Sequence, residues 1–181
     1  PIIGGQQQYV MHNITKSWAS FSGFNATCFE VYEEDMYFGG NGFVGKFWDG
    51  LSDNDQNIKA SCQQAYSYFD ARGQLKRFTM VRPILFTDNG TPTVLCGINT
   101  DFDTQNNVGQ VSFNPALISV GVWDTSTWDD FDWGGGNTIS KQWQGVTGIG
   151  YAAGISINIA SQDIDVRWAS TDYVMEKGGV I

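Results

Sequence analysis

The amino-acid sequence predicts an all-β protein, with an antiparallel meander resembling a β-propeller blade followed by a β-sandwich-like set of long antiparallel strands. The composition is typical of strands joined by frequent turns: 22 of the 181 residues are glycine, 14% are aromatic and 16% are charged. Apolar and polar residues alternate with a period of two in several segments, which turn residues separate at short intervals. We therefore expect a blade-like meander over residues 1–57 and an antiparallel β domain over residues 58–181, or one continuous domain.

The clearest strand pattern lies in the first quarter of the sequence. An acidic turn over residues 33–35 and a Gly-Asn-Gly turn over residues 40–42 separate short strand-like segments, and the glycines supply the positive φ angles of a tight hairpin. A further extended piece contains Trp18 and Phe21. A four-stranded antiparallel meander of roughly 40 residues, the size of one propeller blade, is predicted from Gln7–Asn13, Cys28–Tyr32, Met36–Gly39 and Phe43–Trp48.

A long strand is predicted early in the second region. Leu75–Thr87 has strand character but contains Pro83. Because proline cannot donate to a ladder, we expect this strand to lie at a sheet edge or to bend at Arg82 and Pro83. The dipeptide Asn89-Gly90 predicts a hairpin turn into a return strand within Pro92–Asp101.

Other segments of this region also favour strands. The alternation over residues 155–168 places isoleucines on one face and predicts an antiparallel hairpin of long strands. Four glycines over residues 145–154 indicate bulges or close strand packing, because no phosphate-loop lysine follows them. Ile58–Phe69 fits both a helix and a strand, and we favour the strand.

Charge and reactive side chains exclude several function classes. The net charge of −9 argues against a broad phosphate-binding surface, since nucleic-acid binding needs clustered Lys and Arg. Cys28, Cys62 and Cys96 form no CxxC pair, so we expect buried free thiols. His12 is the single histidine, and with no motif around it we interpret it as structural. We therefore expect no metal, no cofactor, no catalytic residue and no membrane span.

The most unusual composition is the run VWDTSTWDDFDWGGG over residues 122–136. Aromatic rings beside carboxylates are typical of a sugar-binding cleft, because the CH faces of a sugar stack on the rings and its hydroxyls donate to the acids. Two carboxylates could also act as acid and base in glycoside cleavage. Packing at an interface or in the core, which we favour, explains the same pattern. The candidate residues are Trp123, Trp128, Asp129, Asp130, Phe131 and Trp133.

Basic residues cluster on one strand of this acidic chain. Lys76, Arg77 and Arg82 all lie within Leu75–Thr87. Pairing with acids of the same chain is one explanation. The other is an interface with an acidic partner surface, for which Arg77 and Arg82 are the candidates.

Three segments resemble the C-terminal part of virion proteins of tailed bacteriophages. The family is the tail hub or nozzle of short-tailed phages, which is related to packaged-DNA stabilisation proteins. The similarity covers about residues 9–175 and is carried by the spacing of aromatics and glycines rather than by a catalytic signature. Its segments are FNATCFEVYEEDMYFGGNGFVGKFWDG, SYFDARGQLKRFTMVRPIL and the later YVMEKGG.

The resemblance implies a non-enzymatic structural protein of the virion tail. Proteins of this kind build β-propeller subunits that assemble as a ring of six below the portal, where they extend the channel and help to retain and conduct the genome. The implied partners are other copies of the chain, the portal or adaptor and other tail proteins. DNA would pass without specific binding, and an acidic channel lining would repel its phosphates. Because one blade-like unit is recognisable, we expect the chain to be a C-terminal fragment.

Two other classes remain open at this point. One is a carbohydrate-binding adhesin or a glycan-degrading tail domain that uses the loop over residues 123–133. The other is a secreted β-sandwich binding module, which the odd number of cysteines disfavours.

Overall fold

The computed structural model describes residues 7–23, 25–40, 42–88, 90–103, 111–113, 127 and 138–180. Within these residues every regular element is a β-strand and every strand pair is antiparallel, which confirms the predicted all-β class. The chain divides into two compact units, unit 1 over residues 1–50 and unit 2 over residues 51–181. Each unit is built from its own strands.

The described residues of unit 1 form two separate sheets. Its strands are β1 (Gln8–Met11), β2 (Trp18–Phe21), β3 (Cys28–Tyr32), β4 (Asp35–Gly40) and β5 (Phe43–Phe47). The strands β3, β4 and β5 form a three-stranded meander, whereas β1 pairs with β2. The predicted four-stranded meander is therefore wrong in its first strand. β1 pairs with β2 instead, because a short loop joins these two strands in a local hairpin. In this loop Lys16 has φ 58°, and the amide of His12 donates to Ser17 O at 2.9 Å.

Both predicted turns of the meander are confirmed. Glu33 and Glu34 have φ angles of 50° and 71°, so the two-residue loop between β3 and β4 lies in the left-handed region. Gly42 has φ 81° in the loop between β4 and β5. Left-handed loop residues match the right-handed twist of the flanking strands, which explains the tight connections.

The described residues of unit 2 form a pair of four-stranded sheets. Its strands are β6 (Ile58–Gln63), β7 (Gln74–Thr87), β8 (Thr93–Thr100), β9 (Val111–Phe113), β10 (Thr138–Ser140), β11 (Gln144–Gly150), β12 (Ala153–Ser161) and β13 (Val166–Val180). In one sheet β7 pairs with β13, β10 and β11; in the other the order is β6-β12-β8-β9. Residues of both sheets form one hydrophobic core: Phe78, Val81, Leu85, Val94, Cys96, Ile98, Val146, Ala153, Ile155 and Ile157. The sandwich-like arrangement expected for this region is present.

The two hairpins predicted for this region are wrong. The strands β7 and β8 lie in different sheets, and so do β12 and β13. Ile155 and Ile157 of β12 are almost completely buried, and their strand pairs with β8 on one side and β6 on the other. Burial of the inner faces between two sheets therefore decides the strand partners, and each connection crosses from one sheet to the other.

Pro83 lies in a central strand, not at an edge. On one side β13 pairs along almost the whole of β7. On the other side β11 pairs only up to Val81 and β10 only from Leu85, so the ladder is interrupted at Arg82, Pro83 and Ile84. Pro83 has no amide hydrogen to donate, and this is tolerated because neither β10 nor β11 pairs with β7 at this position.

A bulge and close packing follow the predicted glycines. The register of β11 against β7 shifts between Gly145 and Gly148. A Cβ atom on Gly148 would lie 2.9 Å from Cγ2 of Ile98, so no larger residue fits between the two sheets there. The glycine pattern in the sequence therefore indicated sheet packing correctly.

The three cysteines are free, as predicted, but only one is buried. Cys96 is completely buried in β8, whereas Cys28 and Cys62 are exposed. Cys28 lies on the exposed strand β3, and Cys62 lies on β6, which pairs on one side only among the described residues. An alternating sequence pattern does not show which strands will lie at the edge of a sheet.

A buried lysine ties three backbone segments of unit 2 together. The side chain of Lys76 is 0% exposed, and its Nζ donates to Ala71 O at 2.5 Å, Gln74 O at 3.0 Å and Tyr151 O at 2.8 Å. These carbonyls occupy all three donors of the ammonium group. A buried charge is retained in a folded protein when its hydrogen bonds are satisfied in this way.

Tyr173 of β13 links one sheet to the other. Its hydroxyl donates to Gln64 Oε1 at 2.5 Å and accepts from the amide of Ile155 at 3.3 Å. Burial raises the pKa of Tyr173 to about 12, and the hydrogen bond from Ile155 opposes this rise. Burial also raises the pKa of the Cys96 thiol to about 11. Both groups are therefore neutral in the folded protein well above their ordinary pKa values.

The substitution Lys76→Met keeps the length of the side chain and removes its three donors. We expect it to lower the free energy of unfolding by about 3 kcal/mol, because three backbone carbonyls lose the hydrogen bond that Lys76 donates to them. Urea denaturation followed by circular dichroism measures the change. Lys59→Met on the exposed strand β6 is the matched control and should change stability by less than about 0.5 kcal/mol. Equal effects of the two substitutions would contradict the assigned role of Lys76.

Stability should fall as the pH rises above about 9. The folded pKa of Cys96 (about 11, from 9.0) and of Tyr173 (about 12, from 10.0) is raised, so the folded state holds protons that the unfolded chain releases. The loss falls between pH 9 and 11 for Cys96 and between pH 10 and 12 for Tyr173. In urea denaturation at pH 8 and pH 10, Cys96→Val should reduce this loss by about 1 kcal/mol. An unchanged loss in the variant would refute the assignment to Cys96.

Candidate functional site

The aromatic and acidic loop selected from the sequence lies outside the described residues. This applies to all six of its candidates: Trp123, Trp128, Asp129, Asp130, Phe131 and Trp133. Its interpretation as core, interface or sugar contact stays a prediction.

The two candidate arginines lie on β7 in different surroundings. Arg82 donates through Nε and Nη2 to Asp172 Oδ2 at 2.9 and 2.6 Å, and its guanidinium carbon lies 4.7 Å from the ring centre of Trp143. Arg77 Nη1 lies 4.0 Å from Glu176 Oε2, and both of these side chains are exposed. The structure therefore pairs each arginine with an acid of the neighbouring strand β13. Their use by a partner stays a prediction.

Unit 1 presents a sheet with two distinct faces. Residues that stand opposite each other in an antiparallel ladder project to the same side, so the register of β3, β4 and β5 assigns each residue to a face. The first face, called here the phenylalanine face, consists of Phe29, Val31, Met36, Phe38, Phe43 and Phe47. The opposite face, called here the mixed face, consists of Cys28, Glu30, Tyr32, Asp35, Tyr37, Val44 and Lys46.

The phenylalanine face is packed at its centre and open at its margins. Phe38 makes edge contacts with Phe43 and Phe47 at centroid distances of 5.7 and 6.5 Å. Phe38 also covers Gly45, where a Cβ atom would lie 2.5 Å from its ring. On β3 Val31 is 64% exposed and Phe29 is about half exposed, and Phe43 on β5 is also about half exposed. This face thus offers preformed aromatic packing with apolar surface left in water.

The mixed face combines an ion pair with exposed apolar residues. Lys46 Nζ lies 2.9 Å from Asp35 Oδ2 and 3.8 Å from Asp49 Oδ1. The hydrogen bond with Asp35 raises the pKa of Lys46, and desolvation opposes it. Beside this pair Val44 is 77% exposed and Tyr32 is 63% exposed. Both faces of the sheet therefore carry large apolar side chains in water.

A third apolar surface surrounds Trp48, directly after β5. Trp48 has φ 66°, a left-handed conformation that is strained for a bulky residue, and its side chain is 78% exposed. Its ring stacks on Phe21 of β2 at 6.3 Å. Trp18 and Trp48 line an open groove of about 570 Å³, to which His12 and Asn13 contribute polar groups. The groove is suited to a flat apolar or amphipathic group.

Two other kinds of site are absent from the described part of the chain. No group of three or more His, Cys, Asp or Glu side chains there is arranged to hold a metal ion. Nor does that part include a helix with the length and apolar character needed to cross a membrane. His12, interpreted from the sequence as structural, uses Nδ1 in hydrogen bonds to the amide and hydroxyl of Thr15 at 3.2 and 3.0 Å.

Comparison with known proteins identifies no relative. No family description, no curated protein and no solved structure matches this chain.

The exposed aromatics of unit 1 were not selected from the sequence as a site. A signal was nevertheless present in the meander: once β3, β4 and β5 are aligned by their tight turns, the alternation places every phenylalanine on one face. What the sequence did not show is that Phe29, Val31 and Phe43 on this face stay exposed.

Arg82→Lys should cost more stability than Arg77→Lys. Lysine cannot reproduce the two hydrogen bonds to Asp172 or the stacking on Trp143, so we expect a loss of about 1 kcal/mol at Arg82. At the exposed pair of Arg77 the loss should stay below about 0.3 kcal/mol. Urea midpoints of the two variants, measured in the same buffer, test this difference. A larger loss at Arg77 would show that the Arg82 contacts are not formed in solution.

Proposed function

We propose that the chain is a non-enzymatic structural protein that works within an assembly. The observation that carries the proposal is the apolar surface of unit 1. Among the described residues of this unit Ala26 is the one buried apolar residue. A three-stranded sheet needs a covered apolar face to be stable, so the exposed residues indicate a surface that a partner covers.

The exposed area is large enough for a specific interface. Ten large apolar side chains of unit 1 are between 41% and 86% exposed: Tyr9, Met11, Ile14, Trp18, Phe29, Val31, Tyr32, Phe43, Val44 and Trp48. With roughly 100–250 Å² for each side chain, about half of it in water, they leave roughly 1,000 Å² of apolar surface. A standard interface buries roughly 800 Å² on each partner.

The setting we propose is the tail of a bacteriophage virion. The resemblance in sequence supports a hub or nozzle subunit that assembles as a ring, of six copies by that resemblance, with the portal or adaptor and other tail proteins as neighbours. The net charge of −9 supports passage of DNA without specific binding, because an acidic surface repels phosphates. No catalytic residue and no cofactor are part of this proposal.

A second candidate is the binding of carbohydrate. It was first considered for the loop over residues 123–133, and one observation in unit 1 favours it independently. The groove beside Trp48 combines two exposed indole rings with the polar side chains of His12 and Asn13, a combination that suits the CH faces and hydroxyls of a sugar. Its apolar lining suits a protein surface as well, and we place it second.

The location of the chain in virus particles tests the proposed function. Mass spectrometry of gradient-purified tailed-phage particles that encode the chain should detect it in a fixed ratio to the portal protein, and gold-labelled antibody should mark the tail. Absence from particles that contain the portal protein would refute a virion role. A glycan array with the purified chain tests the second candidate, because the structural role predicts no sugar-dependent signal and no effect of Trp18→Ala on it.

A further inference from the structure

We propose that the hairpin of β1 and β2 in unit 1 binds the surface of a phospholipid bilayer, with its outer face in the headgroup region. This inference goes beyond the proposed structural function and does not depend on it. The contacting residues, called here the hairpin surface, are Tyr9, Met11, Ile14 and Trp18.

The two faces of this hairpin have different surroundings. Met11 stands opposite Trp18 in the ladder. Gln8 stands opposite Phe21, and this second pair projects to the other side of the hairpin because side chains alternate along a strand. Phe21 stacks on Trp48 at 6.3 Å, and Gln8 Nε2 donates to a backbone carbonyl before β3 at 3.0 Å. The face with Gln8 and Phe21 is therefore the inner face, which packs on the rest of unit 1.

The outer face is apolar and lies in water. Tyr9 projects to the same side as Met11 and Trp18, and these three side chains are 68%, 41% and 68% exposed. Ile14, in the loop between the strands, is 86% exposed. The solvent side of an antiparallel sheet normally carries polar residues. A group of apolar side chains in this place marks contact with a protein or with a membrane.

The residue types and the charge of the hairpin favour a membrane. Tryptophan and tyrosine are enriched where a bilayer meets water, because an apolar ring and a polar N–H or O–H group suit the two sides of that boundary. Lys16 is the one charged residue over residues 7–29, although the chain as a whole carries −9. Anionic headgroups therefore meet no carboxylate on the hairpin itself, and Lys16 offers them a positive charge.

The polar groups of the loop bond to one another. The amide of His12 donates to Ser17 O at 2.9 Å, and the amide of Lys16 donates to His12 O at 2.8 Å. The amide of Thr15 donates to Nδ1 of His12 at 3.2 Å. Lys16 Nζ donates to Asn13 Oδ1 at 3.1 Å. A segment that enters a headgroup region loses hydration, and these internal hydrogen bonds lower the cost of that loss.

Flotation with vesicles tests the inference. The probe is unilamellar vesicles made of equal parts of phosphatidylglycerol and phosphatidylethanolamine, at physiological ionic strength. Ile14→Ser removes apolar surface from the hairpin, and Ile149→Ser makes the same change at a 59% exposed position of β11 in unit 2. Lys16→Glu reverses the charge of the loop, and Lys59→Glu on the exposed strand β6 is the control with the same net charge. Circular dichroism establishes that each variant is folded.

We expect the unsubstituted chain to float with the vesicles. Ile14→Ser should lower the apparent partition coefficient about fivefold, because less apolar area is buried. Lys16→Glu should lower it about tenfold, because the loop then repels anionic lipid. The two control variants should bind as the unsubstituted chain does. Brominated lipid should quench the tryptophan fluorescence of the bound chain, and should quench a smaller fraction of it in Trp18→Phe.

Other results would overturn the inference. A chain that does not float with the vesicles does not bind a bilayer, and a glycan-array signal that Trp18→Ala abolishes would then assign the hairpin surface to sugar. Equal losses in each hairpin variant and its control would show that the hairpin does not make the contact. These results leave the proposed function standing if the chain is found in virus particles, so the two proposals can fail separately.

Discussion

The ladder between β7 and β13 is the interaction on which unit 2 depends. It joins Gln74–Thr87 to Val166–Val180 along almost their whole length, and it places Val81 and Leu85 on the inner face of the sheet. Because β7 is paired on both sides, its alternation is fixed, and the opposite sheet can pack against a continuous row of buried side chains. Lys76, which donates to Tyr151 O, and Tyr173, which accepts from the amide of Ile155, lie on the same two strands.

The sequence predicted strands better than it predicted their partners. Alternation and turn residues located most strands of both units, including β6, where helix was the alternative, because a period of two is a local property of the chain. Partners depend on which faces are buried together, and this is decided by residues far apart in sequence. The hairpins expected after Thr87 and after Ser161 were wrong for that reason. Pro83 correctly indicated an interrupted ladder, but the interruption lies between β11 and β10 rather than within β7.

The candidate site also depends on tertiary structure that the sequence alone does not show. The composition of the sequence selected the aromatic and acidic loop, which lies outside the described residues. It did not select Trp18, Val31 or Val44, because tryptophan and valine are common residues in β-strands. Their exposure is what makes them notable, and exposure is a property of the folded layer rather than of the residue. In unit 1 the aromatic packing around Phe38 holds the meander in shape, and the surface left over is what the proposed assembly uses.

The position of β13 in the chain has a consequence for biosynthesis. Its partner β7 is separated from it by about 90 residues, as in the pair of Arg82 and Asp172. While the ribosome is still translating the segment between them, β7 lacks one of its neighbours, and the inner side chains of both sheets stay accessible. Closure of the sandwich therefore has to wait for the late synthesis of β13. During that interval the nascent chain is a substrate for chaperones and vulnerable to premature association with other nascent copies.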